Sequence, residues 1–150
     1  MNHPTDFHPD ITIEITPRLS QLVIIRKIIN SISTTMGFPE KDILQLEMSV
    51  DEACSNSILA VQAKEGETAS AKLRLEISIH DKYLKMIIAD CGNDFSEHYQ
   101  KANPFHECTD RTQKGGYGLQ IIKTFMDEVH YSHEPEIGNK LILTKYLSSS

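Results

Sequence analysis

Glu52 and Asn56 stand four residues apart in the run Leu46-Glu47-Met48-Ser49-Val50-Asp51-Glu52-Ala53-Cys54-Ser55-Asn56. The apolar spacing of that run is helical, so both side chains project from one side, at the border of the apolar stripe with solvent. A carboxylate there can act as a general base, and an amide oxygen can ligate a hard cation such as magnesium. Taken alone, the pair reads first as an ordinary exposed Glu–Asn pair on a helix, which is very common. A second group, Asp90-Cys91-Gly92-Asn93-Asp94-Phe95, falls where an apolar strand ends. An aspartate at a strand end can accept a hydrogen bond from an exocyclic amine, and Gly92 would let a flat ring approach the backbone. The same residue types make a plain polar turn. The third group, Lys114-Gly115-Gly116-Tyr117-Gly118-Leu119, opens an amphipathic helix. Glycines there leave the first N–H groups of the helix free to face an anion, with the helix dipole adding attraction, although a simple hinge reads the same way. The run is neither a P-loop nor a dinucleotide fingerprint, because GxxxxGK[ST] is absent and no strand immediately precedes it.

Other chemistry is poorly supplied. The seven histidines, His130 and His133 among them, form no set of metal partners and read as surface residues. Ser55 and Ser57 lack the glycine elbow and the His/Asp pattern of a hydrolase. Cys54, Cys91 and Cys108 form no CxxC pair, which argues against a disulfide framework and against a zinc site. Arg111 and Lys114 could meet a phosphate or an acidic partner, or be solvated loop charges.

The elements that must position these groups follow from periodicity. Residues 1–10 read as a loose leader containing Pro4 and Pro9, and one domain spans 11–150. Ile11, Ile13 and Ile15 alternate as a strand with one buried face. After Pro17, Leu22, Ile25, Ile29, Ile32 and Met36 recur at helical spacing up to Gly37, a suitable cap. A second helix runs from near Pro39 to about Ala63, its core stripe Ile43, Leu46, Val50, Ala53, Ser57 and Ala60. Leu73, Leu75, Ile77 and Ile79 alternate in a second strand, and a third begins at Leu84 and ends at Asp90. Periodicity then disappears until Gly116, a long irregular stretch of the kind that covers a site. A third helix from Gly118 carries Leu119, Ile122, Phe125, Met126 and Val129, and residues 129–147 read as a hairpin around Gly138-Asn139. The pattern predicts one α+β domain with helices on one face of a largely antiparallel sheet.

Bulk properties fit a soluble domain and narrow its partners. The 150 residues are 39% hydrophobic and 24% charged, with a net charge of −6. No basic patch suggests nucleic acid, no apolar run is long enough to span a bilayer, and the polar start lacks a signal-peptide core; the expected location is the cytoplasm.

The order of the groups, a helical Glu–Asn pair, a strand-end DxG, a long loop and a glycine turn opening a helix, resembles the GHKL superfamily of ATP-binding domains. More narrowly it resembles the anti-sigma-factor serine/threonine kinases, over nearly the whole chain. The run from Leu46 to Asn56 is similar to their N-box, which implies Glu52 as catalytic base and Asn56 as magnesium ligand. Asp90-Cys91-Gly92 resembles the G1 box, whose aspartate recognises the adenine amino group. Gly116-Tyr117-Gly118-Leu119 resembles the G2 box around the phosphates. The resemblance implies a Bergerat-type two-layer fold, a mixed, largely antiparallel sheet covered on one face by three helices. It implies ATP and Mg2+, with Asn56, Asp90, Gly92, Phe95, Lys114, Gly115, Gly116, Tyr117, Gly118 and Leu119 at the nucleotide. It also implies an anti-anti-sigma (STAS-type) protein and a sigma factor as partners, possible homodimerisation, and neither nucleic acid nor membrane. The alternative is a catalytically weak or inactive nucleotide-binding module that acts by sequestering its partner.

Three positions depart from the family pattern. Asp94 stands where a DxGxG box has its second glycine, with Phe95 following as in some similar proteins. Ser57-Ile58 follows Asn56 where a histidine and an aromatic are frequent. Asn139 stands where many relatives have threonine, which is expected to remove a hydroxyl on the phosphate side. Asp127 and Glu128, in a Phe125-Met126-Asp127-Glu128-Val129 tail also similar to this family, read as structural.

Overall fold

The computed structural model describes residues 8–66, 71–94 and 116–148. Within them the chain forms β1 (Ile11–Ile15), α1 (Leu22–Met36), α2 (Glu40–Glu65), β2 (Leu73–Ile79), β3 (Tyr83–Asp90), α3 (Gly116–Phe125), β4 (Glu128–Glu134) and β5 (Gly138–Tyr146). The five strands make one sheet in the order β1-β2-β3-β5-β4, and the three helices pack on it and on one another. The α+β two-layer arrangement agrees with the sequence expectation. In one detail it differs, since all four strand pairings are antiparallel. The crossover through α3 returns β4 parallel to β3, but β5 lies between them, so no parallel pair forms.

Alternation decides which face of the sheet is covered. Leu73, Leu75 and Ile77 of β2, Leu84, Met86 and Ile88 of β3, and Leu141 and Leu143 of β5 are all buried in one core with the helices. Each such side chain contributes roughly 1.5–3 kcal/mol by leaving water. From α1 the core receives Leu22, Ile25 and Ile29, and the buried Ser33 hydroxyl is satisfied by donating to Ile29 O at 2.6 Å. Gly37 ends α1 in the left-handed conformation, φ 92°.

Helix α2 is the long element, 26 residues and so about 39 Å. It lies between α1 and α3 and over the sheet. Its buried face is wider than the sequence stripe: Ser49, Cys54, Ile58 and Val61 join Leu46, Val50, Ala53 and Ser57, as a helix packed on several sides requires. Helix α3 is shorter than its apolar pattern, for Met126 follows its last residue and Val129 already belongs to β4. Buried Lys145 of β5 donates to Phe125 O at 2.6 Å, satisfying a carbonyl that the end of α3 leaves open. Asp127 accepts from Tyr146 N–H at 2.7 Å, a structural use of that carboxylate. Asp10, counted above with the leader, is already tied to β2: its N–H donates to Ile77 O at 2.8 Å and its Oδ2 accepts from Ile79 N–H at 2.7 Å.

Candidate active site

The α2 residues that border the core form a file, Glu52, Asn56 and Ala60, each one turn beyond the last. Each end of the file meets a glycine from another element. At the first end α3 passes so close that a Cβ on Gly118 would overlap the Glu52 carboxylate and come 3.6 Å from Asn56 Nδ2. Gly118, far away in the sequence, is thus brought to the Glu52–Asn56 pair. At the other end Gly92 lies on the α2 backbone, where a Cβ would come 2.5 Å from Ala60 C, and Asn93 N–H donates to Ala60 O at 3.3 Å. The absence of a side chain at Gly92 is therefore required by helix packing, a reason the sequence reading did not supply. The file spans about 12 Å at 1.5 Å per residue.

Electrostatics differ along that span. Glu52 is half-buried, and burial first, then the neighbouring Asp51 charge, raises its pKa above the usual carboxylate value. Asp51 itself pairs with Arg26 of α1 at 3.3 Å. Asp90 is 6% exposed, on the helix-covered face of β3. Its Oδ1 accepts from Gly92 N–H at 2.7 Å and from Asn139 Nδ2 at 2.9 Å. Its Oδ2 is buried without a hydrogen-bond partner among the described residues. A buried carboxylate oxygen left unpaired is costly, and a donor from a bound molecule would remove that cost.

Leu119 is buried on α3, and Gly116 and Tyr117 open that helix. Phe95, Lys114, Gly115 and Arg111 lie outside the described residues. Among the described residues no group of three or more His, Cys, Asp and Glu could hold a metal; Asn56 offers an amide oxygen on the file. A cavity of about 440 Å3 opens on the other face of the sheet, over the row Glu14, Arg74, Ala89, Lys140 and Ser132. It shares only the Asp90–Cys91 and Gly138–Asn139 rim with this site.

Asn139 lies in the hairpin expected from the sequence, where it is paired with Asp90 across β3 and β5 and hydrogen-bonded to it. One sequence expectation needs correction. His133 is half-buried rather than a surface residue, its Nδ1 2.9 Å from Asn139 Oδ1. Tyr131, not singled out from the sequence, places its hydroxyl against the same Asn139 Oδ1 and 2.9 Å from Asp94 Oδ1. The signal was available: Val129, Tyr131 and His133 alternate on one face of β4, and that face borders the core.

The family model for the histidine kinase-like ATPase domain matches residues 15–145. The chain is 31% identical over 129 residues to the serine-protein kinase RsbW of Bacillus subtilis, covering 83% of this chain and 78% of the relative. The RsbW serine-protein kinase of Bacillus pumilus is 29% identical over 153 aligned residues, 99% of this chain and 90% of its own length. That of Oceanobacillus iheyensis is 26% identical over 129 residues, 83% and 78% of the two chains. The chain belongs to the histidine kinase-like ATPase family of the GHKL superfamily and, within it, to the anti-sigma serine/threonine kinases. Among the described residues no helix is long and apolar enough to cross a membrane.

Proposed function

We propose that this chain binds Mg·ATP along the Glu52–Asn56–Ala60 file and phosphorylates a serine or threonine of an antagonist protein, of the anti-anti-sigma (STAS-type) class. In the alternate state it sequesters a sigma factor. The observation that carries the reading is the pairing of opposite needs at the two ends of the file. Asp90 offers a buried oxygen that lacks a donor among the described residues, while Gly118 meets Asn56 and Glu52 about 6 and 12 Å from Ala60 along α2. Asp90 would receive the exocyclic amine of adenine beside Gly92 and Phe95. Lys114, Gly115, Gly116, Tyr117, Gly118 and Leu119 would enclose the phosphates, and Asn56 would hold the magnesium ion. When bound, Mg·ATP supplies the phosphoryl group and neutralises its charge.

In this reading Glu52 takes the proton of the attacking hydroxyl, a role suited to a carboxylate whose pKa lies above its usual value. Phosphorylation adds roughly −1.5 to −2 charge to the antagonist and weakens its interface with the kinase, freeing the kinase for the sigma factor. Homodimerisation and a cytoplasmic location belong to the same reading.

The test is a pair of variants with separate readouts. Glu52→Gln is expected to abolish transfer to a partner captured from the native cell while leaving ATP affinity largely intact. Asp90→Asn is expected to lose ATP affinity, because its amide turns a donor or a weaker acceptor toward the base. Equal phosphorylation by Glu52→Gln would overturn the kinase assignment. Magnesium-dependent binding without transfer by the wild type would favour a sequestering module.

A further inference from the structure

Asn139 uses its whole hydrogen-bonding capacity beside Asp90. Its Nδ2 donates to Asp90 Oδ1 at 2.9 Å and to Asn93 O at 2.8 Å. Its Oδ1 faces the Tyr131 hydroxyl and His133 Nδ1. Asp90 Oδ1 and Asn93 O are both acceptors, so only the NH2 half of the amide can face them; the flipped amide would set oxygen against oxygen twice. The orientation of Asn139 is therefore fixed, and His133 must present Nδ1–H to it.

The consequence falls on Asp90. The last torsion of an aspartate is broad and roughly twofold, so a carboxylate without fixed partners presents either oxygen over a range of angles. Here one oxygen is held by two donors, Gly92 N–H and Asn139 Nδ2, and the other is buried with no partner among the described residues. The Gly92 donor is local to the turn. The Asn139 donor comes from β5 and is oriented from β4, so the carboxylate is set by the sheet as well as by its own loop.

We propose that Asn139 is the positioning residue for base recognition. It holds Asp90 so that Oδ2 meets the base, and Tyr131 and His133 of β4 hold Asn139. The inference rests on the nucleotide reading above and adds a residue to it. With both amide hydrogens engaged and its oxygen turned to His133 Nδ1 and to the Tyr131 hydroxyl, whose single hydrogen it shares with Asp94, Asn139 acts through Asp90 rather than on the base. A 6-amino purine donates to Oδ2, whereas a 6-oxo purine presents a carbonyl oxygen that the fixed carboxylate repels.

ADP and IDP binding to the full chain, measured by calorimetry for wild type, Asn139→Thr and Asn139→Val, tests this. Threonine and valine have the same shape, but only threonine can donate to Asp90. The wild type is expected to prefer ADP. Asn139→Val is expected to lose about tenfold in ADP affinity with little change for IDP, and Asn139→Thr to recover most of the preference. Asn139→Ala, which removes the same donors without added bulk, is the second donor-free variant should valine unfold the chain. A donor-free variant that keeps the wild-type ADP-to-IDP ratio, even with both affinities reduced, overturns the inference and leaves the nucleotide reading standing. A wild type that binds neither nucleotide overturns both.

Discussion

At the scale of single residues, Glu52 has a measurable signature apart from catalysis. Burial and the Asp51 charge raise its pKa from 4.5, so the folded chain holds that proton at a pH where the unfolded chain has released it. Ionising Glu52 therefore costs folding free energy as pH rises from 4.5 through the raised value. Glu52→Gln is neutral throughout and escapes the cost. The variant is expected to melt at a higher temperature than wild type at pH 7, with the gap closing below pH 4.5; thermal unfolding across pH measures it. Cys54 gives a second expectation. It is fully buried and its thiol is pushed up to about 12, so it should resist alkylation in the native state. Half-buried Cys91 should be alkylated before Cys54, as peptide mass spectrometry after a brief iodoacetamide pulse would show. The placement of Glu52 and Asn56 on one side of a helix, and of Asp90 at a strand end, was legible in the sequence because helical spacing and strand alternation specify it locally. For Tyr131 and His133 the alternation with Val129 marks the face they share, but not what they meet there. That depends on β5 lying beside both β3 and β4, a long-range pairing that no local pattern specifies.

At the scale of elements, the two glycines that touch α2 should respond differently to one added methyl group. A Cβ on Gly118 meets the end of the Glu52 side chain, which can swing away, and alanine suits a helix better than glycine. A Cβ on Gly92 meets the α2 backbone at Ala60 and Val61, which cannot. Gly92→Ala is therefore expected to cost about 1–3 kcal/mol of stability, the usual range for overpacking. Gly118→Ala is expected to fold with near wild-type stability and to lose phosphate transfer. Denaturant unfolding and a transfer assay on the same two proteins separate the outcomes. The elements themselves were read well where periodicity is strong, as in α1 and β2. They were read less well at α3, whose apolar spacing continues through Met126 into Val129 although the helix stops at Phe125. There the core-facing pattern of a helix runs into that of a strand, and spacing alone does not mark the change.

At the scale of the whole molecule, strand β5 links the two ends of the site. Near its start Gly138, at φ 120°, is wedged so closely on the end of β3 that a Cβ would overlap Asp90 O, and this seats Asn139 beside Asp90. Near its end Lys145 holds the last carbonyl of α3, the helix whose other end covers Glu52. Asn139 and Lys145 are six residues apart and share the covered face, about 20 Å along the strand. The strand is thus a gauge whose length and parity are both set. An insertion or deletion of one residue between them would turn one anchor to the opposite face of the sheet. Natural length variation in this chain should accordingly collect in the turns on either side of β5 and spare the nine residues of the strand itself.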